Sequence, residues 1–259
     1  MPLLRGRRPL KRWRYVALFC EELMACAATV QVGPARQTFW AVLLRGGAPR
    51  LLQRTRTLPR RGAVELSPGR LRVSEPGLKL DFALREDNGV QALCPHGEGY
   101  VWTRKQAGLA AHGTIALDGS PPRAIEALAI VDDTAGYHAR ATEWRWAAGV
   151  GTDPDGVPLA FNLVEGVNDP PHGSERAVWI AGEPHEVAPV RFATDLTRVV
   201  GGDGSELCFA AEAQRSRREN LLVVLSEYRA PFGRFTGTLP GGLELARGLG
   251  VMEHHRARW

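Results

Sequence analysis

The chain has 259 residues, 44% of them hydrophobic and 24% charged, with a formal charge of +5 from 33 basic and 28 acidic side chains. That composition supports a sizeable core and excludes a disordered chain. Lysine stands only at Lys11, Lys79 and Lys105, and the basic charge is otherwise scattered arginine. Only Arg5 to Arg14, RGRRPLKRWR, is dense; it reads as a solvated arm entering the first strand and not as a nucleic-acid footprint.

The apolar run from Tyr15 is broken by Glu21 and Glu22 before it reaches signal-peptide form, and no segment reaches the ~18 continuous apolar residues of a membrane span. Cys20, Cys26, Cys94 and Cys208 form no C-x-x-C pair or metal-finger spacing, which fits reduced thiols in a reducing compartment. The expectation is a cytoplasmic protein without stable membrane insertion. Its oligomeric state is not fixed by the sequence.

In chain order the pattern is one of short alternating or apolar runs cut by Gly, Pro and Asp, the signature of a sheet-rich protein. Trp13 to Cys20, Leu23 to Val32 and Thr38 to Leu44 are the first expected strands, followed by Leu51 to Arg56, Ala63 to Leu66 and Arg70 to Ser74. Leu78 to Arg85 alternates apolar and polar residues cleanly, and Asp87-Asn88-Gly89 then predicts a tight hairpin turn. Tyr100 to Gln106 and Leu109 to Leu117 continue the sheet. The double proline at Pro121-Pro122 does not fit a central strand, so a domain boundary is expected there, with units at 1–120 and 121–259.

The second unit is expected to open with Arg123 to Val131. Tyr137 to Ala147 reads as a strand, with a helix as the alternative; if extended, it aligns His138, Arg140, Thr142, Trp144 and Trp146 on one face. The turn at 152–156, TDPDG, separates it from the next strand-length segment. Ala177 to Ala181, His185 to Phe192, Leu207 to Ala213, Leu221 to Arg229, Arg234 to Leu239 and Leu249 to Trp259 complete the series, with a glycine-rich turn at 201–204. Two halves of short strands without a solenoid repeat predict an all-β fold of paired antiparallel barrels or sandwiches.

No G-x-S-x-G elbow, Walker loop or strand-placed G-x-G-x-x-G is present, which removes the commonest enzyme classes. Glu253-His254-His255 lacks H-E-x-x-H spacing, and adjacent residues in a strand face opposite ways, so no metal site is expected and one of the two histidines faces a pocket. Polar residues threaded among Trp144, Trp146 and Trp179 have the character of an apolar-ligand cavity, although the same tryptophans also suit a plain core. Tyr137 and His138 are placed at its mouth.

Glu165, Glu175 and Glu253 are the candidate acids, because a carboxyl desolvated among indoles has its pKa raised. The competing reading pairs Glu165 or Glu175 with Arg140 or Arg176 as structural ion pairs. Arg140, Thr142, Asn162 and His254 join the tryptophans as candidate ligand contacts.

The segments KRWRYVALFCEELMACAATVQVGPARQTFWAV, GYHARATEWRWAAGVGTDPDGVPLAFNLVEGVND, SERAVWIAGEPHEVAPVRF and GVMEHHRARW resemble a bacterial and eukaryotic family of domains of unknown function. That family is similar, more distantly, to the calycin-like proteins that include carotenoid hydratase (hydroxyneurosporene synthase). The resemblance implies two lipocalin-like β-barrel domains with a hydrophobic ligand region. No hydratase residue transfers to a position here. The resulting expectation is a protein that binds a small apolar, lipid-like or isoprenoid molecule. It acts either by cofactor-free hydration or isomerisation or as a carrier or sensor, with a structural or interaction protein as the remaining reading.

Overall fold

The computed structural model describes residues 1–57, 62–87, 89–221 and 224–258, and it contains no helix among them. The chain runs as β1 (Leu4–Arg5), β2 (Arg8–Pro9), β3 (Lys11–Phe19), β4 (Leu23–Val32), β5 (Ala35–Leu44), β6 (Arg50–Arg56), β7 (Val64–Ser67), β8 (Arg70–Glu75), β9 (Leu78–Leu84), β10 (Val90–His96), β11 (Gly99–Leu117) and β12 (Arg123–Gly136). It continues through β13 (Ala141–Thr152), β14 (Pro158–Glu165), β15 (Ala177–Ile180), β16 (Glu183–Glu186), β17 (Val190–Phe192), β18 (Arg198–Gly201), β19 (Glu206–Leu221), β20 (Val224–Leu239) and β21 (Leu243–Arg258). The expected helical alternative for Tyr137 to Ala147 is thereby excluded; the strand starts at Ala141, after a short linker. Asn88 and Trp259, on which an expected turn and the end of an expected strand fell, lie outside the described residues.

All pairings are antiparallel. β1 and β2 pair as a two-stranded ribbon; of the two large sheets, one has the order β6-β5-β4-β3-β12-β11-β9-β8-β7 with β10 also on β11, and the other has the order β16-β15-β14-β13-β21-β20-β19-β18-β17. The two lipocalin-like barrel units expected from the sequence are these two curled sheets. The strand expected to open the second unit, Arg123 to Val131, instead lies between β3 and β11, so the change of sheet falls in the linker after Gly136 and not at Pro121-Pro122. Proline ends a strand without ending a sheet; here it marks only the turn between β11 and β12.

Each sheet curls round its own core. In the first, Val64 of β7 and Leu71 of β8 pack in one cluster with Trp40 and Val42 of β5, so opposite ends of the sheet face each other. In the second, Phe161, Phe209 and Phe235 fill the equivalent space with Val190 and Phe192.

A glutamate latches each curl. Glu75, at the end of β8, accepts from Arg54 (2.9 Å) and Arg56 (2.6 Å) of β6. Glu165, at the end of β14, accepts from the Phe192 amide (3.1 Å) and from Arg191 (2.8 Å) of β17. The competing reading of Glu165 as an ion-pair residue is therefore the observed one, although its partners are Arg191 and Arg145 and not Arg140.

The outward faces of the two sheets then cover each other, through Tyr15, Ala17, Met24, Ala41 and Ile130 from one and Trp146, Ala148, Ala160, Ala230 and Phe232 from the other. Two bulges decide which side chains reach this interface. In β11, Lys105 and Ala107 face it, but the register shifts at Gly108 (φ 75°), and Leu109 and Ala111 face the first barrel's core instead. A one-residue insertion flips every later side chain to the other face. The runs expected as separate strands, Tyr100 to Gln106 and Leu109 to Leu117, are therefore one strand with a change of face. In β19 the shift between Ala211 and Ala213 has the same effect: Leu207 and Phe209 point into the second core, whereas Ala213 and Arg215 point at the interface.

The Glu165 latch is testable. Replacing Glu165 with alanine removes the partner of the Phe192 amide, and urea denaturation is expected to show a loss of about 1–3 kcal/mol; an unchanged unfolding midpoint would remove the latch from the account.

Candidate functional site

At one end of the inter-sheet layer the packing opens into a cavity of about 370 Å³. Its walls come from β3, β4 and β5 on one side and from β13, β19, β20 and β21 on the other, with β11 and β12 below. Ladder register aligns the polar groups. Lys105 stands opposite Asp132, Asp132 opposite Tyr15, Trp146 opposite Glu253, and both Trp144 and Tyr228 opposite His255.

Three ionisable groups make the floor. Lys105 Nζ lies 2.8 Å from Asp132 and 3.2 Å from Glu175, with all three side chains almost fully buried. Asp132 also accepts from Trp13 Nε1 (3.1 Å) and Thr134 Oγ1 (2.7 Å). Burial pulls the lysine toward neutrality, but the two carboxyls outweigh it and its pKa is raised. One ammonium faces two carboxyls, and the pKa of Glu175 is pushed up by burial and by the Asp132 charge, against the pull of Lys105.

Glu253, on β21, makes no ion pair with that ammonium among the described residues, although the charges of Asp132 and Lys105 both reach it. Its carboxyl accepts from Trp144 Nε1 at 2.7 Å and from the Tyr228 hydroxyl. Burial raises its pKa from 4.5 to about 7, and the two donors only moderate that effect. Around it stand neutral donors and acceptors. Burial lowers His255 to about 3, so its imidazole is uncharged; its Nε2 lies 2.9 Å from Ser226 Oγ, and its ring packs 4.4 Å from Trp144. His138 is likewise buried and neutral, 5.5 Å from the Trp13 ring, and among the described residues its ring nitrogens find no hydrogen-bond partner of ordinary geometry. Trp13 and Trp144 stack across the sheet junction at 6.3 Å with 9° between planes.

The sequence-predicted residues divide clearly. Trp144, Trp146, Glu175 and Glu253 line the cavity. Asn162 stands behind it, accepting from Trp146 Nε1 (2.7 Å) and donating to the Glu175 carbonyl (2.8 Å), so it fixes the indole. Trp179 is buried in the inter-sheet core away from the cavity. Thr142 ties down the linker by donating to the Ala139 carbonyl at 3.0 Å. Arg140 is exposed in that linker, and Glu165 serves β17. Of the adjacent histidines, His255 faces the cavity, whereas His254 turns outward to Glu143 at 2.9 Å.

Lys105, Asp132, Tyr228 and Arg215 were not expected. A lysine in a chain with only three, on the strand face shared by Thr103 and Ala107, was the available signal for Lys105. Asp132 shares a face with Ile130 and Thr134, but only the register to β11 reveals its partner. Among the described residues no group of three metal-ligating side chains gathers.

Proteins of known structure share this architecture. An AttH-like protein from Nitrosomonas europaea aligns over 98% of both chains, with a TM-score of 0.56 and 15% identity. Kievitone hydratase from Nectria haematococca aligns over 94% of this chain and 88% of its own, with a TM-score of 0.60 and 10% identity. CghA aligns over 96% and 88%, with a TM-score of 0.51 and 9% identity. At these identities the likeness is one of fold. No curated protein matches the sequence. A family model described as a domain of unknown function, DUF2804, matches residues 64–259.

The Glu253 environment predicts a pH signature in stability. Because the folded state holds the proton up to about pH 7 and an unfolded glutamate releases it near 4.5, the contribution is fully present below 4.5 and is lost as pH rises through 7. His255 acts in the opposite sense, so the comparison is wild type against Glu253→Gln. The variant is expected to gain on wild type by about 3 kcal/mol between pH 4.5 and 7.5, and parallel stability curves would contradict the burial of an acid here.

Proposed function

The chain belongs to the DUF2804 family, and from its cavity we propose that it binds a small apolar, lipid-like or isoprenoid molecule and adds water to it, or shifts its double bond, by acid/base catalysis without a cofactor. The observation that carries this reading is Glu253. It is a carboxyl whose pKa lies near 7, set among aromatic rings and facing a cavity large enough for a small ligand.

In such a reaction the protonated Glu253 gives its proton to one carbon of a carbon–carbon double bond. Water adds to the other carbon and loses a proton to the resulting carboxylate, which restores the acid. For isomerisation the carboxylate takes a different proton from the substrate itself. Trp144 Nε1 and the Tyr228 hydroxyl steady the carboxylate while it is charged, and the neutral His255 orders the added water. Trp13, Trp144 and Trp146 supply flat apolar walls against which a developing positive charge on carbon is stabilised. Glu175 stands as the floor carboxyl. Its pairing to Lys105 suits it to shaping the cavity more than to proton transfer.

A carrier of the same ligand class needs the aromatic wall but no titrating acid, and the saturated Lys105–Asp132–Glu175 cluster is the feature that favours it. A purely structural role predicts a filled interface beside Trp144, and the open cavity there speaks against it.

Wild type and Glu253→Gln should be compared on a panel of isoprenoid and polycyclic alkenes and enones, scored by mass for added water and by chromatography for isomers. The expected outcome is turnover of at least one member, a loss of about 10²–10⁴ in kcat in the variant with KM little changed, and a limb in the wild-type pH profile near 7. Full activity in Glu253→Gln would end the assignment, and tight binding without turnover would make the protein a carrier.

A further inference from the structure

Arg215 is the cavity's least explained side chain. It enters the cavity only because the β19 bulge turns it to the inter-sheet face, and it is 3% exposed. One of its amino groups donates to Thr55 Oγ1 at 2.7 Å, and its guanidinium lies 4.0 Å from the Phe39 ring centre and 4.9 Å from that of Tyr228. Among the described residues it forms no ion pair. Guanidinium–ring contacts offset part of the cost of burying the charge, but an arginine withdrawn from water normally meets a carboxylate or phosphate.

The other cations of the cavity are differently placed. Lys105 is held by Asp132 and Glu175, and Arg217 by Glu219. Arg36 lies in water at the mouth, and burial together with Arg8 lowers Lys11 to about 7.

We infer that the ligand is an amphipathic acid, an apolar body with one carboxylate, and that Arg215 is the residue that receives the carboxylate. This rests on the cavity-binding reading above and narrows its ligand class. Thr55 leaves most of the guanidinium's donors open to the cavity, enough for the two-pronged contact that arginine makes with a carboxylate. Arg215, buried and without an ion pair among the described residues, suits a singly charged anion. The Phe39 and Tyr228 rings flank the charge and continue into the aromatic wall, so a carboxylate seated there directs its apolar body along Trp144 and Trp146. Tyr228 links the two functional groups: its ring packs against Arg215, and its hydroxyl donates to Glu253. The carboxylate end is thereby fixed beside the proposed acid, which orients the ligand for proton transfer.

The test uses a matched pair of probes, pyrenebutanoate and pyrenebutanol, with affinities read near neutral pH by energy transfer from tryptophan in the full chain. Wild type is expected to bind the acid about tenfold or more tightly than the alcohol, the discrimination a charge-assisted contact provides. Arg215→Gln should bring the acid to the level of the alcohol without weakening the alcohol, and Arg215→Lys should retain part of the preference. Equal wild-type affinities would overturn the carboxylate inference and leave the apolar cavity standing. A preference that survives in Arg215→Gln would overturn the role of Arg215, and failure of both probes to bind wild type would overturn the cavity reading along with it. Should the glutamine variant not fold, the wild-type pair and the lysine variant still decide the question.

Discussion

Glu253 stands on a strand whose inward neighbours are Val251 and His255, and its carboxyl has exchanged water for an indole N–H and a phenol O–H. A carboxylate so placed is expensive to charge, and two neutral donors repay only part of that cost, which is why the proton stays on to about pH 7. Much of the surrounding structure is what such a group requires. Asn162 fixes Trp146, Ser226 fixes His255, and the stacked pair of Trp13 and Trp144 closes the space between the sheets.

The two-sheet design explains how a polar cavity survives within an apolar layer. Each sheet saves one face for its own core and lends the other to its partner, and most of the shared face is small or aromatic. Charged residues reach it in opposed or isolated positions: Lys105 between two carboxyls, Glu253 among neutral donors, Arg215 between two rings. Two of the three depend on bulged strands, since without the shifts in β11 and β19 the alternation that serves the barrel cores would not also present Lys105 and Arg215 to the interface. Bulges beside functional sites commonly re-aim side chains in this way.

Much of this was legible in the sequence, and the remainder was hidden for identifiable reasons. Alternation in Leu78 to Leu84 and the turn at 152–156 announced an antiparallel all-β chain, and the mixture of Trp144, Trp146 and Glu253 pointed to the cavity. Period-two reasoning fails at a bulge, however, and Gly108 looked like a break between strands when it is a change of face within one. The choice between His254 and His255 depended on register to β13, which no local pattern supplies. Trp179 and Glu165 were drawn into the candidate site by composition alone, and each proved to serve packing or closure. Lys105 and Asp132 are 27 positions apart and become partners only through the β11–β12 ladder.

The most direct test is the ionisation of Glu253 itself, read by carbon NMR on protein labelled at the glutamate carboxyl carbons. The resonance that is missing in Glu253→Gln should titrate with a midpoint near pH 7. A midpoint close to 4.5, the ordinary glutamate value, would show a solvated carboxylate and remove the acid on which the proposed chemistry depends.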